Sequence, residues 1–516
     1  VNIQAKIRRI LERLSTGVYE KEEAIRLSLL TAVAGESLFL LGPPGVAKSL
    51  IARKLKFAFL GGTSFEYLMN RFSTPDEVFG PVSIKKLKDE DKYERLTEKY
   101  LPGASIVFLD ELWKAGPSIQ NALLTVLNEK IYRNGEQEVR VNVKGIIAAS
   151  NELPAYGQGL EALWDRFLVR YLIREIQTAG NFVQMITDTT DLYADSIADE
   201  DKINEEELVQ WNQAIDRIDV PAEVVNTLQL IKLKTEQYDQ SGEAQFRFEV
   251  YDRRWKKMVR LLRTSAFLNG RPNVDLMDCF LVAHCLWNHP DQRETAQEIV
   301  AEVIRKHGYT LALNLTPLRQ EVRDLETEVR DETRIRNVKL VDKLQPVDRE
   351  YYEVLNMEQY FDGNRMKRSE FDRLGVDEES TVNLYDAGAN LTNRVRARKG
   401  QDPHTLIVFY NSRSYDFRLR TTKEEKVEII YKKPHPLLQS YWQERIEKLQ
   451  AYIDTQKEKV RHEAPGELNG LRDNLFVDAE LADVVEANLR DVHDGLDQLA
   501  LQLEKIKFSY EQIGEQ

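Results

Sequence analysis

Between residues 36 and 173, short apolar runs alternate with stretches of helical spacing. "SLFLLG", "SFEYLM", "SIVFLD", "GIIAASN" and "FLVRYLI" are strand-like, whereas 48–59 and 117–129 place their apolar residues at helical intervals. This alternation predicts an α/β core in which helices cover a parallel sheet. Asn134-Gly135, set between the alternating runs of "EKIYRNGEQEVRV", adds a predicted β-hairpin. Beyond an acidic, loop-like stretch at 186–206 the period changes. Val259, Leu262, Ala266 and the run "LMDCFLVAHCLW" predict a smaller helical domain over 207–307.

The last third carries three heptad stripes. Leu318, Val322, Leu325 and Val329 form the first, and Trp442, Ile446, Leu449 and Ile453 the second. Val485, Leu489, Val492, Leu496, Leu499, Leu503 and Ile506 form the third. A single exposed stripe would leave apolar surface in water, so the three helices are expected to pack together. Between the first two stripes, "TLIVFY", "SYDFRLR" and "KVEIIY" predict a small β module inserted into the helical stalk. The expected division is an α/β core over 1–190, a helical domain over 191–308, a discontinuous triple-helical domain over 309–336 and 437–516, and an inserted β-rich module over 337–436. The Pro and Gly of 461–475 are expected to separate two of the heptad helices.

Composition narrows the class. A chain of 516 residues exceeds one ordinary core, and 42% hydrophobic with 30% charged residues describes a globular protein. No apolar run approaches the 18 or so residues of a membrane span. The start, "VNIQAKIRRILERL", is an amphipathic helix rather than a signal peptide, so a cytoplasmic address is expected. A net charge of -13 disfavours nucleic acid, and the basic runs "NRVRARKG" and "YKKPH" read as solvated sheet faces. Cys279 and Cys285, with His284 between them, match no metal spacing, and the two cysteines read as buried thiols.

Candidate chemistry lies at the ends of the core strands. In "FLLGPPGVAKS" a strand gives way at Gly42 to a turn and then a helix. The backbone of Gly42, Pro43, Pro44, Gly45, Val46 and Ala47 would surround phosphate oxygens at the positive end of that helix. Lys48 would neutralise the β and γ phosphates, and Ser49 would ligate Mg²⁺. Ala47 stands where the usual pattern has glycine; placed in the first helical turn, it is expected to adopt right-handed angles. Asp110 and Glu111 end the strand of "SIVFLDEL", so Asp110 is expected beside the metal and Glu111 as base or positioner of water. Asn151, after the next core strand, is expected to hold the attacking water or the γ phosphate. Arg166 in "ALWDRFL" is the candidate finger reaching into a neighbouring subunit, with Arg170 as the alternative, and Arg253 is a candidate sensor of nucleotide state.

Taken together, "GPPGVAKS", "LDELWKA", "ASNELP" and "LWDRF" in that order resemble the MoxR group of AAA+ ATPases. Residues 1–290 resemble the regulatory ATPases of the RavA type in particular. The resemblance implies an ATP- and Mg²⁺-dependent hydrolase, usually a homohexameric ring, with nucleotide between subunits and Arg166 acting in trans. It also implies that Val18 and Tyr19 lie near the adenine. The implied partners are an inducible lysine decarboxylase, bound through the β module, and a von Willebrand A domain protein. The implied work is chaperone-like remodelling of protein partners. A nucleotide-gated scaffold is the alternative, and a DNA-acting AAA+ protein a weaker one.

Overall fold

The computed structural model describes residues 2–155, 157, 159–242, 245–312 and 315–514. They fall into two compact units, Val1–Arg319 with Leu449–Leu501, and Gln320–Lys448 with Gln502–Gln516.

In the first unit the amphipathic start forms α1 (Ile3–Ser15), with Asn2 as its N-cap, and α2 (Glu22–Ala34) ends on the left-handed Gly35. There follow β1 (Ser37–Leu41), α3 (Lys48–Leu55), β2 (Ser64–Leu68), α4 (Pro75–Phe79), α5 (Ile84–Asp89), β3 (Ile106–Asp110) and α6 (Pro117–Glu129). The predicted hairpin is β4 (Ile131–Asn134) with β5 (Gln137–Arg140), and β6 (Gly145–Ser150), α7 (Glu161–Trp164) and β7 (Val169–Leu172) complete the core. The sheet runs β2-β3-β6-β1-β7 with every pairing parallel. β1 and β6 are buried along their whole length, as central strands covered on both faces should be. Because β1 lies between β6 and β7, the loops that follow β1, β3 and β6 converge at the carboxyl end of the sheet, the usual place for a ligand in such folds.

The helical region that follows comprises α8 (Ala179–Thr187), α9 (Glu205–Ile215), α10 (Ala222–Gln240), α11 (Asp252–Leu268), α12 (Ala283–Leu286) and α13 (Gln292–Ala312). Its apolar residues share one core with the first two helices: Ile7, Ile10 and Leu29 cluster with Trp211, Ile215 and Leu262. Lys6 adds an ion pair to Glu207 at 2.8 Å. Leu475, Phe476 and Val477 also enter this cluster, and Asn474 donates to the buried Asp278 at 3.2 Å. Both cysteines are buried free thiols, raised by desolvation, Cys285 to about 12.

The heptad stripes lie on α14 (Leu315–Thr333), on α16 (Pro436–Leu471) and on α17 (Ala482–Glu511), with the short α15 (Arg368–Arg373) in the inserted module. All the stripe residues named above are buried. In the second unit, Trp442 donates its indole N–H to Glu328 at 2.9 Å and packs 5.5 Å from the Tyr510 ring. α16 continues to Leu471, so the expected break at 461–475 falls later, between Leu471 and Ala482.

The inserted module opens with β8 (Arg334–Leu344), β9 (Pro346–Val347), β10 (Tyr351–Glu353), β11 (Arg365–Lys367) and β12 (Ser380–Tyr385). It continues with β13 (Leu391–Lys399), β14 (Thr405–Tyr410), β15 (Arg413–Arg418) and β16 (Thr421–Tyr431). Strands β9 to β15 make one antiparallel sheet in chain order, with its own core around Met357, Phe371, Leu384 and Val408. The sheet curls until Val354 bridges Leu419, and β8 pairs with β16 along eleven residues. The module's two ends meet: the N–H of Lys432 donates to the carbonyl of Thr333 at 2.9 Å.

Candidate functional site

Gly42 leaves the end of β1 pressed against the chain beyond β7; a Cβ there would sit 2.2 Å from the Ile173 carbonyl oxygen. Its N–H donates to the carbonyl of Ser150 at 3.1 Å, tying the phosphate loop to the end of β6. Pro43, Pro44 and Gly45 are exposed, and Val46 is buried as the loop's anchor. Gly45 has φ 83° and Ala47 has φ 67°, both left-handed. The right-handed expectation for Ala47 is therefore corrected. It precedes the helix as its N-cap, where the turn must reverse hand so that successive N–H groups point into one concavity. α3 has no side-chain cap, which leaves first-turn N–H groups to a ligand. Lys48 Nζ lies back on the loop, donating to the carbonyls of Gly42 at 2.6 Å and Pro43 at 3.1 Å. Ser49 follows in the first turn of α3.

Burial pulls the Lys48 ammonium below the usual lysine range, and the charges of Asp110 and Glu111 oppose that pull. The two carboxylates at the end of β3 thus act on the phosphate-loop lysine through space. The Glu111 N–H donates to Asp110 Oδ1 at 2.9 Å, and Glu111 takes φ 51°, a left-handed position that turns its side chain off the strand line. Its carboxylate pairs with Lys114 at 3.1 Å. Asn151, Gly42, Pro43 and Pro44 line one cavity of about 480 Å³, so the candidate polar amide and the phosphate loop face the same space. Trp113 ties the two loops together by donating to the Glu152 carbonyl at 3.0 Å.

Beside the same loop lies a second cavity of about 370 Å³. Val18 and Tyr19 line it together with Gly45, Val46, Ala47 and Leu50, and Phe182, Met185 and Leu192 supply an apolar wall. Its lining is largely apolar, as in sites that take up the uncharged part of a ligand. The segment carrying Tyr19 is held by distant partners. Tyr19 Oη donates to Asp188 at 2.7 Å, while Glu20 accepts from the N–H of Gln177 at 2.6 Å and of Thr178 at 2.9 Å, at the start of α8. Those donors hold the Glu20 carboxyl at about 2.

The arginines divide. Arg170 is fully buried on β7, where it donates to Trp287 and Trp164 carbonyls and to Asn288 and lies 4.2 Å from the centre of the Trp164 ring. Enclosed in this way, Arg170 ties β7 to the segment of Trp287 and Asn288 within its own chain. Arg166 is partly exposed after α7 and pairs with Asp165 at 3.4 Å. Arg253, first turn of α11, contacts Asn128 and stands close enough to Arg166 to lower its affinity for a proton, second only to burial. Neither Arg166 nor Arg253 lines the cavities beside the phosphate loop of its own chain.

Comparison with known proteins agrees with this geometry. Residues 5–213 match the family of MoxR domains found in MoxR-vWA-beta-propeller ternary systems, and residues 223–300 match an AAA lid domain. Two uncharacterised proteins of Methanocaldococcus jannaschii are relatives. One is 35% identical over 306 residues, covering 59% of this chain and 76% of the relative. The other is 37% identical over 286 residues, covering 55% and 72%. This chain belongs to the MoxR-type AAA+ ATPases. A solved structure of a candidate ATPase from Cytophaga hutchinsonii is 16% identical, covers 59% of this chain and 94% of the other, and superposes with a TM-score of 0.48.

As a MoxR-type ATPase, the protein is an ATP-hydrolysing enzyme of the AAA+ kind. Several residues of its site escape sequence reasoning. Lys114, three residues after Glu111 in "LDELWKA", carries a signal in its spacing, because the short helical turn there brings the pair together. Glu20, Asp188, Phe182 and Met185 carry none, since their partners are more than 150 residues away in sequence or meet only across the cavity.

Proposed function

We propose that the chain binds ATP with Mg²⁺ beside α3, hydrolyses it with Glu111 and Asn151, and uses the energy to remodel protein partners. The observation that carries the reading is a left-handed, uncapped phosphate loop whose lysine feels the Asp110-Glu111 pair. The adenine would occupy the apolar cavity lined by Val18 and Tyr19. Lys48 would exchange its loop carbonyls for phosphate oxygens, a stronger, charge-assisted pairing. Ser49 and Asp110 offer the hard oxygen donors that Mg²⁺ prefers and would hold it, and the ion would supply positive charge to offset that of the phosphates. Glu111 would accept a proton from, or orient, the attacking water, and Asn151 would hold that water or the γ phosphate without adding charge.

Arg166 and Arg253 lie together but away from their own phosphate loop, which supports their insertion into the site of a neighbouring copy and hence a homohexameric ring. The β module, an independent core with adjoining ends, suits partner capture. A RavA-like role, with a lysine decarboxylase as its target, and a von Willebrand A partner are the finer readings; the matched family's description, naming vWA and beta-propeller proteins, supports the latter. Glu111→Gln is expected to keep ATP affinity while turnover falls by about a hundredfold or more. Normal turnover in that variant would remove Glu111 from its role.

A further inference from the structure

A polar chain runs from the lid to Arg166. Asn288 offers one carbonyl oxygen to both Arg170, at 2.7 Å, and Arg254, at 3.3 Å. Arg254 is almost wholly buried and donates to Asp165 Oδ1 at 2.5 Å. The other oxygen of the same carboxylate, Oδ2, faces Arg166 at 3.4 Å. Arg253 precedes Arg254 on α11, so whatever fixes Arg254 also fixes the backbone that carries Arg253. Arg166 and Arg254 therefore share one carboxylate, with Arg170 beside Arg254 and Arg253 beside Arg166. The Nε atoms of Arg166, Arg170 and Arg254 are buried without a hydrogen-bond partner among the described residues. Such a cluster holds surplus positive charge that one carboxylate cannot balance, and it is suited to meet an anion from outside the chain.

We propose that Asp165 is a positioning residue that joins the lid to the finger: through Oδ1 it grips Arg254, through Oδ2 it aims Arg166, and it thereby presents Arg166 and Arg253 as one unit. This rests on the reading that Arg166 works in a neighbouring subunit. The ion pair is mostly enclosed, so its geometry is set by packing and not by solvent, and a shift of the lid is passed to Arg166 with little slack. An error of about 1 Å in such a group lowers turnover by as much as a hundredfold.

The test uses the full-length chain. Asp165→Asn keeps the shape and removes the charge. It is expected to lower kcat roughly tenfold to a hundredfold while ATP affinity, read by direct nucleotide binding, stays unchanged. Arg254→Lys should restore much of the rate lost in Arg254→Ala, and the Asp165→Asn/Arg254→Ala pair should lose little more than either alone. Mixing separates the proposal from the reading beneath it. Glu111→Gln subunits carry intact fingers, so adding them to Arg166→Ala subunits should raise activity if the finger acts in trans; no rise there overturns the trans reading itself. If that control succeeds, adding Glu111→Gln subunits to Asp165→Asn subunits should raise activity in the same way. Absence of a rise, lost ATP binding in Asp165→Asn, or strictly additive losses in the double variant would each overturn the positioning role.

Discussion

Ala47 takes φ 67° in the phosphate loop, where glycine would sit without strain. A left-handed L-residue costs about 1–2 kcal/mol, part of which glycine returns as extra freedom in the unfolded chain. Ala47→Gly is accordingly expected to stabilise the protein by about 0.5–1 kcal/mol, read by urea unfolding, with ATP binding preserved. A loss of stability would mean that the Ala47 methyl group packs usefully against the apolar cavity it lines. The Gly42 position allows no such exchange, because the carbonyl of Ile173 occupies the space a side chain would need. Residue identity in this loop thus follows two separate rules, backbone hand at Ala47 and backbone proximity at Gly42.

At the scale of elements, α8 depends on a cap from elsewhere. The side chain of its own N-cap, Thr178, does not cap the helix, and Glu20 supplies the carboxylate that receives the Gln177 and Thr178 N–H groups. The folded carboxyl is held at about 2, below its ordinary 4.5. A depressed carboxyl stabilises fully above the unfolded value and loses its contribution as pH falls from about 4.5 toward 2. The stability difference between the native protein and Glu20→Gln, measured by urea unfolding at several pH values, should shrink over that window and stay flat above about pH 6. Because α8 presents Phe182 and Met185 to the cavity, Glu20→Gln should also weaken adenine nucleotide binding. A pH-independent difference would show that the charge on Glu20 is not what holds the helix.

For the whole molecule, the inserted module is separable in both sequence and packing. Its core around Phe371 and Leu384 is distinct, and Thr333 and Lys432 are already hydrogen-bonded neighbours. Short links between neighbouring ends make an insertion removable. Replacing residues 334–431 with a brief Gly-Ser linker is expected to leave a folded ATPase, checked by circular dichroism and phosphate release, and to abolish partner binding. Loss of ATP turnover in that variant would show that the module contributes to the hydrolytic cycle itself.

Periodicity alone determined the elements. Five apolar runs became the five strands of the parallel sheet, Asn134-Gly135 marked the hairpin, and the stripes from Leu318 to Ile506 were buried as heptads require, because burial of apolar faces is a local pattern with one solution. The order of "GPPGVAKS", the acid pair and Asn151 likewise placed the candidate chemistry at strand ends. Tertiary structure alone decided the hand of Ala47, the enclosure of Arg170, the cap that Glu20 lends to α8 and the carboxylate shared by Arg166 and Arg254. Each of these depends on which distant segments the fold brings within hydrogen-bond reach, and a distance of 2.5 Å between residues 165 and 254 leaves no mark on the spacing of either.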